Sequence, residues 1–129
     1  MDIMLQMLAL SMVLGLVQLV LHVHFAILQR GLKWAFTPRD ESLPPLKGIA
    51  GRFERAYYNF LETFPLFLAA VFLAASLNRH DNLTAWGAQL YFWARVAYVP
   101  IYLAGWPVIR TLVWSASVAG IVMLLVSVL

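Results

Sequence analysis

The segment RFERAYYNFLETFPLFLAAVFLAA, residues 52–75, is long and apolar enough to cross a lipid bilayer, for which a helix needs about 20 residues. Three polar side chains nevertheless lie near its beginning: Arg55, Asn59 and Glu62. Their spacing places them along one face of a helix. A carboxylate that faced lipid at the position of Glu62 would cost about 2.5–3.5 kcal/mol. We therefore expect this polar stripe to face protein or a water-filled cleft.

The composition places the whole chain in the membrane class. Of its 129 residues 63% are hydrophobic, and the mean hydropathy is +0.81, which is far from the average for soluble domains. The chain has no cysteine, which excludes a disulfide framework, a thiolate metal site and a cysteine nucleophile. The net charge is +3, but the cations lie at helix ends. There they indicate topology and contact with anionic lipid rather than binding of nucleic acid.

Four apolar segments predict an all-α membrane protein, with residues 1–129 forming one antiparallel bundle of four transmembrane helices. The predicted spans are about 3–28, 52–77, 83–104 and 107–129. Prolines and glycines mark the loop between the first two spans, and the other connections are short, as in antiparallel helix pairs. Pro107 suits the first position of the last helix.

The cations predict how the bundle is oriented. Arg79 is the only lysine or arginine near one end of the predicted bundle, and the other eight lie towards the opposite end. These eight are Arg30, Lys33, Arg39, Lys47, Arg52, Arg55, Arg95 and Arg110. By the positive-inside rule, the first loop and the 105–107 turn are cytoplasmic, and both termini lie on the other side of the membrane.

The third predicted span carries a second polar stripe. Its members recur at helical spacing: Tyr91, Arg95, Tyr98 and Tyr102. Tyrosines alone are typical of an interfacial aromatic belt, but Tyr91 and Arg95 lie too deep for that. Arg95 should need an acidic partner, for which Glu62 and Glu54 are the candidates.

Arg110 lies in the first turn of the last predicted helix. By itself it is typical of an arginine that anchors a helix at the membrane surface. Together with the free backbone N–H groups of the helix start it also suits an anion such as a thiolate, a phosphate or a carboxylate. Two interpretations of the stripe on the second span therefore remain open. It forms either an internal ion pair between Arg55 and Glu62 or a polar ligand pocket that opens to the cytoplasm.

Two of these segments and Arg110 resemble the MAPEG family, the membrane-associated proteins in eicosanoid and glutathione metabolism. RAYYNFLETFPLFLA (residues 55–69) is similar to the second-helix pattern of that family, and ARVAYVPIY (residues 94–102) to its third-helix pattern. Arg110 resembles the arginine that opens the fourth helix. Tyr58 and Tyr98 stand where prostaglandin-synthesising members carry an arginine and a histidine. The resemblance is therefore nearer to the leukotriene-C-synthase and general glutathione-transferase type.

The resemblance implies a homotrimer that binds glutathione, as co-substrate, between neighbouring subunits near the cytoplasmic face. Arg110 would be the catalytic residue that holds the sulfur as a thiolate. The implied glutathione contacts are Arg30, Arg55, Asn59, Glu62, Tyr98 and Tyr102.

The function implied by this resemblance is that of a membrane glutathione-dependent transferase, with peroxidase activity toward lipid hydroperoxides as a related activity. The second substrate would be an apolar small molecule that arrives from the bilayer. Lipids and other copies of the chain would be the partners, and neither a metal nor a nucleic acid is expected. The alternative is a non-catalytic membrane assembly partner that keeps the fold. Without an obvious C-terminal retrieval signal, the bacterial inner membrane is expected rather than the endoplasmic reticulum.

Overall fold

The computed structural model describes residues 2–129, so Met1 of the predicted domain lies outside the described residues. The all-α prediction is confirmed for this part of the chain, which contains five helices and no strand. The helices are α1 (Ile3–Arg30), α2 (Leu32–Ala35), α3 (Gly48–Ser76), α4 (Asn82–Ala104) and α5 (Pro107–Val128).

Three of the four long helices, α1, α3 and α5, are long and apolar enough to cross a membrane. The fourth, α4, has 23 residues, which is also sufficient in length. However, Gln89, Arg95 and several tyrosines and tryptophans make α4 less apolar than the others. The fourth crossing therefore stays a prediction.

The helix ends follow local backbone chemistry. α1 continues two residues beyond its predicted end, to Arg30, and then stops at Gly31, whose φ of 91° is unfavourable for residues with a side chain. α3 begins at Gly48, four residues before its predicted start. α4 ends at Ala104, and Gly105 follows it in the left-handed conformation, as is common at helix ends. Pro107 is the first residue of α5, as the sequence predicts.

An apolar core joins the four long helices. Its buried members include Met4 of α1, Phe67 and Val71 of α3, Tyr91 of α4 and Leu124 of α5. The rings of Phe67 and Tyr91 stack with their centroids 4.0 Å apart. The Tyr91 hydroxyl lies 3.0 Å from the Thr63 hydroxyl, so this buried polar group has a hydrogen-bond partner.

α4 and α5 approach each other through two glycines. A Cβ atom at Gly120 would lie 2.5 Å from the carbonyl oxygen of Gly87 and 2.8 Å from the backbone nitrogen of Tyr91. Only glycine permits backbones to come this close, as is common where helices cross in membranes.

Arg52 connects the start of α3 to the end of α4. Its Nη1 atom donates a hydrogen bond of 2.6 Å to the carbonyl oxygen of Leu103, one of the last-turn carbonyls that lack a partner within the helix. The loop before α3 and the turn at 105–107 therefore lie at the same end of the bundle. Which side of a membrane this end faces stays a prediction.

Polar contacts close the opposite end of the bundle. Asp81 caps α4 by accepting a 2.9 Å hydrogen bond from the backbone N–H of Thr84, and it accepts another of 3.0 Å from the Ser127 hydroxyl. The Thr84 N–H, followed by the Ser127 hydroxyl, lowers the pKa of the Asp81 carboxyl below its usual 3.8. His80 Nδ1 lies 3.3 Å from a carboxylate oxygen of Asp2.

Candidate functional site

Three side chains from three helices meet at the loop end of the bundle: Arg55 of α3, Tyr102 of α4 and Arg110 of α5. The Arg55 Nε atom donates a 2.9 Å hydrogen bond to the Tyr102 hydroxyl. The Arg110 guanidinium carbon lies 5.1 Å from the centroid of the Tyr102 ring, within the range of cation–π attraction. One tyrosine therefore contacts two cations that the sequence separates by 55 residues.

A cleft of about 320 Å³ opens beside these residues. This volume lies within the range of roughly 300–1,000 Å³ that is usual for small-molecule sites. The cleft is lined by Asn59, Tyr98, Tyr102, Arg110, Thr111 and Trp114. The lining combines aromatic rings with donors and acceptors of hydrogen bonds, which suits a polar ligand with an apolar part.

The start of α5 lies next to this cleft, which Arg110 and Thr111 line. The residue before the helix, Trp106, provides no side-chain cap, and Pro107 follows it as the first helical residue. Pro107 has no N–H and the Arg110 N–H donates to the Trp106 carbonyl, so the N–H groups of Val108 and Ile109 are the ones that lack a partner within the helix. An uncapped helix start beside an arginine favours an anion, because the N–H groups and the helix dipole both attract negative charge.

The polar stripe of α3 lies on the outer face of this single chain. Asn59 lines the cleft, and its Oδ1 atom is buried without a hydrogen-bond partner. Glu62 is exposed and does not line the cleft. No arginine nitrogen lies within 4 Å of Glu62 in the described part of the chain. The alternative of an internal Arg55–Glu62 ion pair is therefore not formed within this chain.

Arg95 is buried, with 1% of its surface exposed. Its Nε and Nη1 atoms have no hydrogen-bond partner. The expected acidic partner is not in contact, since no carboxylate oxygen of residues 2–129 lies within 4 Å of it. Instead, its guanidinium carbon lies 4.3 Å from the centroid of the Tyr98 ring. The buried Arg95 guanidinium therefore packs against the Tyr98 ring on the side of the core.

A family model described as MAPEG family matches residues 7–129. The chain belongs to the MAPEG family. This places it among membrane proteins of glutathione and eicosanoid metabolism. A search of the curated proteins found no match.

Within the single MAPEG chain, the structure brings together five of the seven residues predicted for the site. Arg55, Asn59, Tyr98, Tyr102 and Arg110 line or border the cleft. Glu62 lies on the same face of α3 but outside the cleft. Arg30 lies elsewhere: it donates a 3.1 Å hydrogen bond to the Pro44 carbonyl and lines a different cavity.

Two residues that line the MAPEG cleft, Thr111 and Trp114, were not predicted as part of the site. Trp114 lines the cleft from α5, whereas its position in an apolar helix is typical of a tryptophan that anchors at the membrane surface. The sequence feature that could have identified Trp114 is its spacing from Arg110, since a residue four positions further along a helix lies on the same face.

Proposed function

We propose that this MAPEG protein is a membrane glutathione-dependent transferase. The proposal depends on one observation above all, the convergence of Arg55, Tyr102 and Arg110 on a cleft at an uncapped helix start. Glutathione carries two carboxylates, one ammonium and a thiol. It therefore needs several cationic donors and at least one carboxylate acceptor, and arginine is well suited to bind carboxylates.

Arg110 would activate the thiol. A free thiol has a pKa of about 8.5 and is only a few per cent ionised at neutral pH. A guanidinium and the free N–H groups of α5 stabilise the thiolate and lower that pKa. The sulfur then attacks an electrophilic carbon of the apolar substrate and forms an S–C bond. The displaced electron pair leaves with a leaving group, or it moves onto a neighbouring atom that takes up a proton.

The remaining residues would bind the peptide part of glutathione. Arg55 supplies a cation for a carboxylate, Asn59 offers its unpaired Oδ1 and its amide, and Tyr98 and Tyr102 add hydroxyl groups. The Glu62 carboxylate would accept a hydrogen bond from the ammonium group of glutathione.

The exposed position of Glu62 supports an assembly of several copies. Glu62 lies seven residues along α3 from Arg55, or about 10 Å at 1.5 Å per residue. A carboxylate exposed to lipid at that depth is unfavourable, and a neighbouring copy of the chain would cover it. We propose the homotrimer, in which a neighbour's Arg30 completes the site. The apolar substrate would enter from the bilayer past Trp114.

The distribution of cations supports the proposed orientation, with the cleft near the cytoplasmic surface. We propose the bacterial inner membrane as the location.

Glutathione binding and thiolate formation test the proposal. Purified protein in mild detergent is titrated with glutathione, and the thiolate is followed by ultraviolet difference absorbance. We expect a thiolate signal in the wild type that Arg110→Ala removes while binding persists. We expect Arg55→Ala and Glu62→Ala to weaken binding itself. Arg79→Ala, which removes a cation at the opposite end, is the matched control and should change neither.

Two results would contradict parts of this proposal. Equal glutathione binding in the wild type and Glu62→Ala would remove Glu62 from the site, and a monomer in mild detergent would contradict a site shared between subunits. Glutathione binding without a thiolate signal and without turnover of any electrophile would favour the non-catalytic assembly partner.

A further inference from the structure

Three tyrosines lie on the polar stripe of α4, and two of them have a hydrogen-bond partner within the chain. The Tyr91 hydroxyl lies 3.0 Å from the Thr63 hydroxyl, and the Tyr102 hydroxyl accepts a 2.9 Å hydrogen bond from Arg55 Nε. No such bond within residues 2–129 holds the hydroxyl of Tyr98, the tyrosine between them. Tyr98 lines the cleft, so its hydroxyl is free to form a hydrogen bond with a ligand there.

The ring of Tyr98 is held by a cation and by another ring. The Arg95 guanidinium carbon lies 4.3 Å from the Tyr98 ring centroid and 5.9 Å from that of Phe60, both within the range of cation–π attraction. The centroid of the Tyr102 ring lies 5.6 Å from that of Tyr98. Because no hydrogen bond fixes Tyr98, contacts with its ring determine where the hydroxyl points, and the Arg95 contact is the shorter of these two.

Arg95 is costly for the stability of the bundle. It is 1% exposed, two of its nitrogens have no hydrogen-bond partner, and no carboxylate oxygen of residues 2–129 lies within 4 Å of it. A guanidinium stays charged in proteins, and removing an unpaired charge from water is unfavourable. The cation–π contacts offset only part of that cost. An apolar side chain of similar volume would pack here more favourably, so stability alone does not account for Arg95.

The charge of Arg95 also acts on the Tyr98 hydroxyl. A nearby cation stabilises negative charge on the oxygen of a phenol, and the O–H group thereby becomes a stronger hydrogen-bond donor. An anionic acceptor such as a carboxylate gains most from a stronger donor. Arg95 therefore affects both the orientation of one free hydroxyl and its strength as a donor.

We propose that Arg95 is a positioning residue of the cleft, which orients the Tyr98 ring so that its free hydroxyl donates a hydrogen bond to a carboxylate of glutathione. This inference rests on the proposed function, since the ligand is the same. Arg95 does not itself line the cleft, so it acts on the ligand through Tyr98. It therefore affects the affinity for glutathione, whereas Arg110 determines the ionisation of the thiol.

Substitutions of Arg95 that keep or remove the charge test this inference. For each variant in mild detergent, isothermal titration measures the affinity for glutathione, ultraviolet difference absorbance the thiolate, and thermal unfolding the stability. Arg95→Met should weaken the affinity about fivefold, the effect of weakening one hydrogen bond to a charged group. The ionised fraction of bound glutathione should stay unchanged, and the melting temperature should equal or exceed that of the wild type. Arg95→Lys keeps a cation and should recover part of the affinity.

A double-mutant cycle tests whether Arg95 acts through the Tyr98 hydroxyl. Tyr98→Phe removes that hydroxyl and should weaken binding by itself. In the Tyr98→Phe background, Arg95→Met should change the affinity by less than about twofold, because the effects of coupled residues are not additive. Gln18→Met is the matched control, since Gln18 is also buried, has an Oε1 atom without a partner and does not line the cleft. It should leave the affinity unchanged.

Three results would overturn this inference. They are an unchanged affinity in Arg95→Met, an equal loss from Arg95→Met with and without the Tyr98 hydroxyl, and a lower melting temperature of Arg95→Met, which would assign Arg95 to the packing of the core. Each of them leaves the proposed function intact when the wild type binds glutathione as a thiolate. A wild type that does not bind glutathione would overturn the proposed function and this inference together.

Discussion

Replacing Tyr102 with phenylalanine removes one hydroxyl from the candidate site and leaves the ring in place. The hydroxyl accepts a 2.9 Å hydrogen bond from Arg55 Nε. Hydrogen bonds to charged groups contribute about 1.5–3 kcal/mol. Because the Arg55 side chain is exposed, water replaces part of the loss, and about 1 kcal/mol is the appropriate value. That corresponds to a roughly fivefold weaker affinity for glutathione.

The same substitution should leave the thiolate almost unchanged. The Arg110 guanidinium faces the Tyr102 ring rather than its hydroxyl, and phenylalanine keeps that ring. Isothermal titration would measure the affinity, and ultraviolet difference absorbance the ionised fraction of bound glutathione. Tyr57→Phe is the control, since Tyr57 stacks on His22 and does not line the cleft. An unchanged affinity in Tyr102→Phe, or an equal loss in Tyr57→Phe, would refute the assignment of Arg55 and Tyr102 to glutathione.

Three further predictions concern the bundle that carries the site. Gly120→Ala should destabilise it by about 1–3 kcal/mol, because the new Cβ meets backbone atoms of α4. Gly15→Ala meets only a phenylalanine side chain that can shift, and thermal unfolding in detergent should show the smaller loss. Thr63→Val leaves the buried Tyr91 hydroxyl without its partner and should cost about 1–3 kcal/mol, more than Tyr91→Phe in the same assay. Because the pKa of Asp81 is lowered, its stabilising effect should be complete above its unfolded pKa and disappear as the pH falls through the lowered value. The melting temperature of Asp81→Ala should therefore depend less on pH in the acidic range than that of the wild type, and equal slopes would contradict the role of this cap.

The sequence was sufficient to predict the four long helices and the faces that their polar residues occupy, but not the short helix α2 within the first loop. Arg55 and Asn59 share a face because the helical period requires it, and the same period places Tyr98 and Tyr102 together on α4. Gly105 and Pro107 mark the last turn in the sequence. In the structure Gly105 follows the last residue of α4, and Pro107 is the first residue of α5.

Contacts between helices were harder to predict. Periodicity assigns a residue to a face of its own helix, but it does not say which side chain of another helix lies opposite. Arg95 was expected to meet a carboxylate, and it meets the Tyr98 ring instead. Trp114 was missed because a tryptophan in a membrane helix has the same signature at a ligand site and at an interfacial anchor.

The hydrogen bond from Arg52 to Leu103 bears on how far the loop before α3 can vary in length. The start of α3 is joined to the end of α4 by this contact, and α3 also packs on the other long helices through the apolar core, so its position does not depend on the preceding loop alone. Insertions or deletions within residues 37–43 should therefore leave the relative placement of Arg55 and Arg110 intact. Relatives of this protein can therefore differ widely in that loop while the arginines of α3 and α5 keep their relative placement.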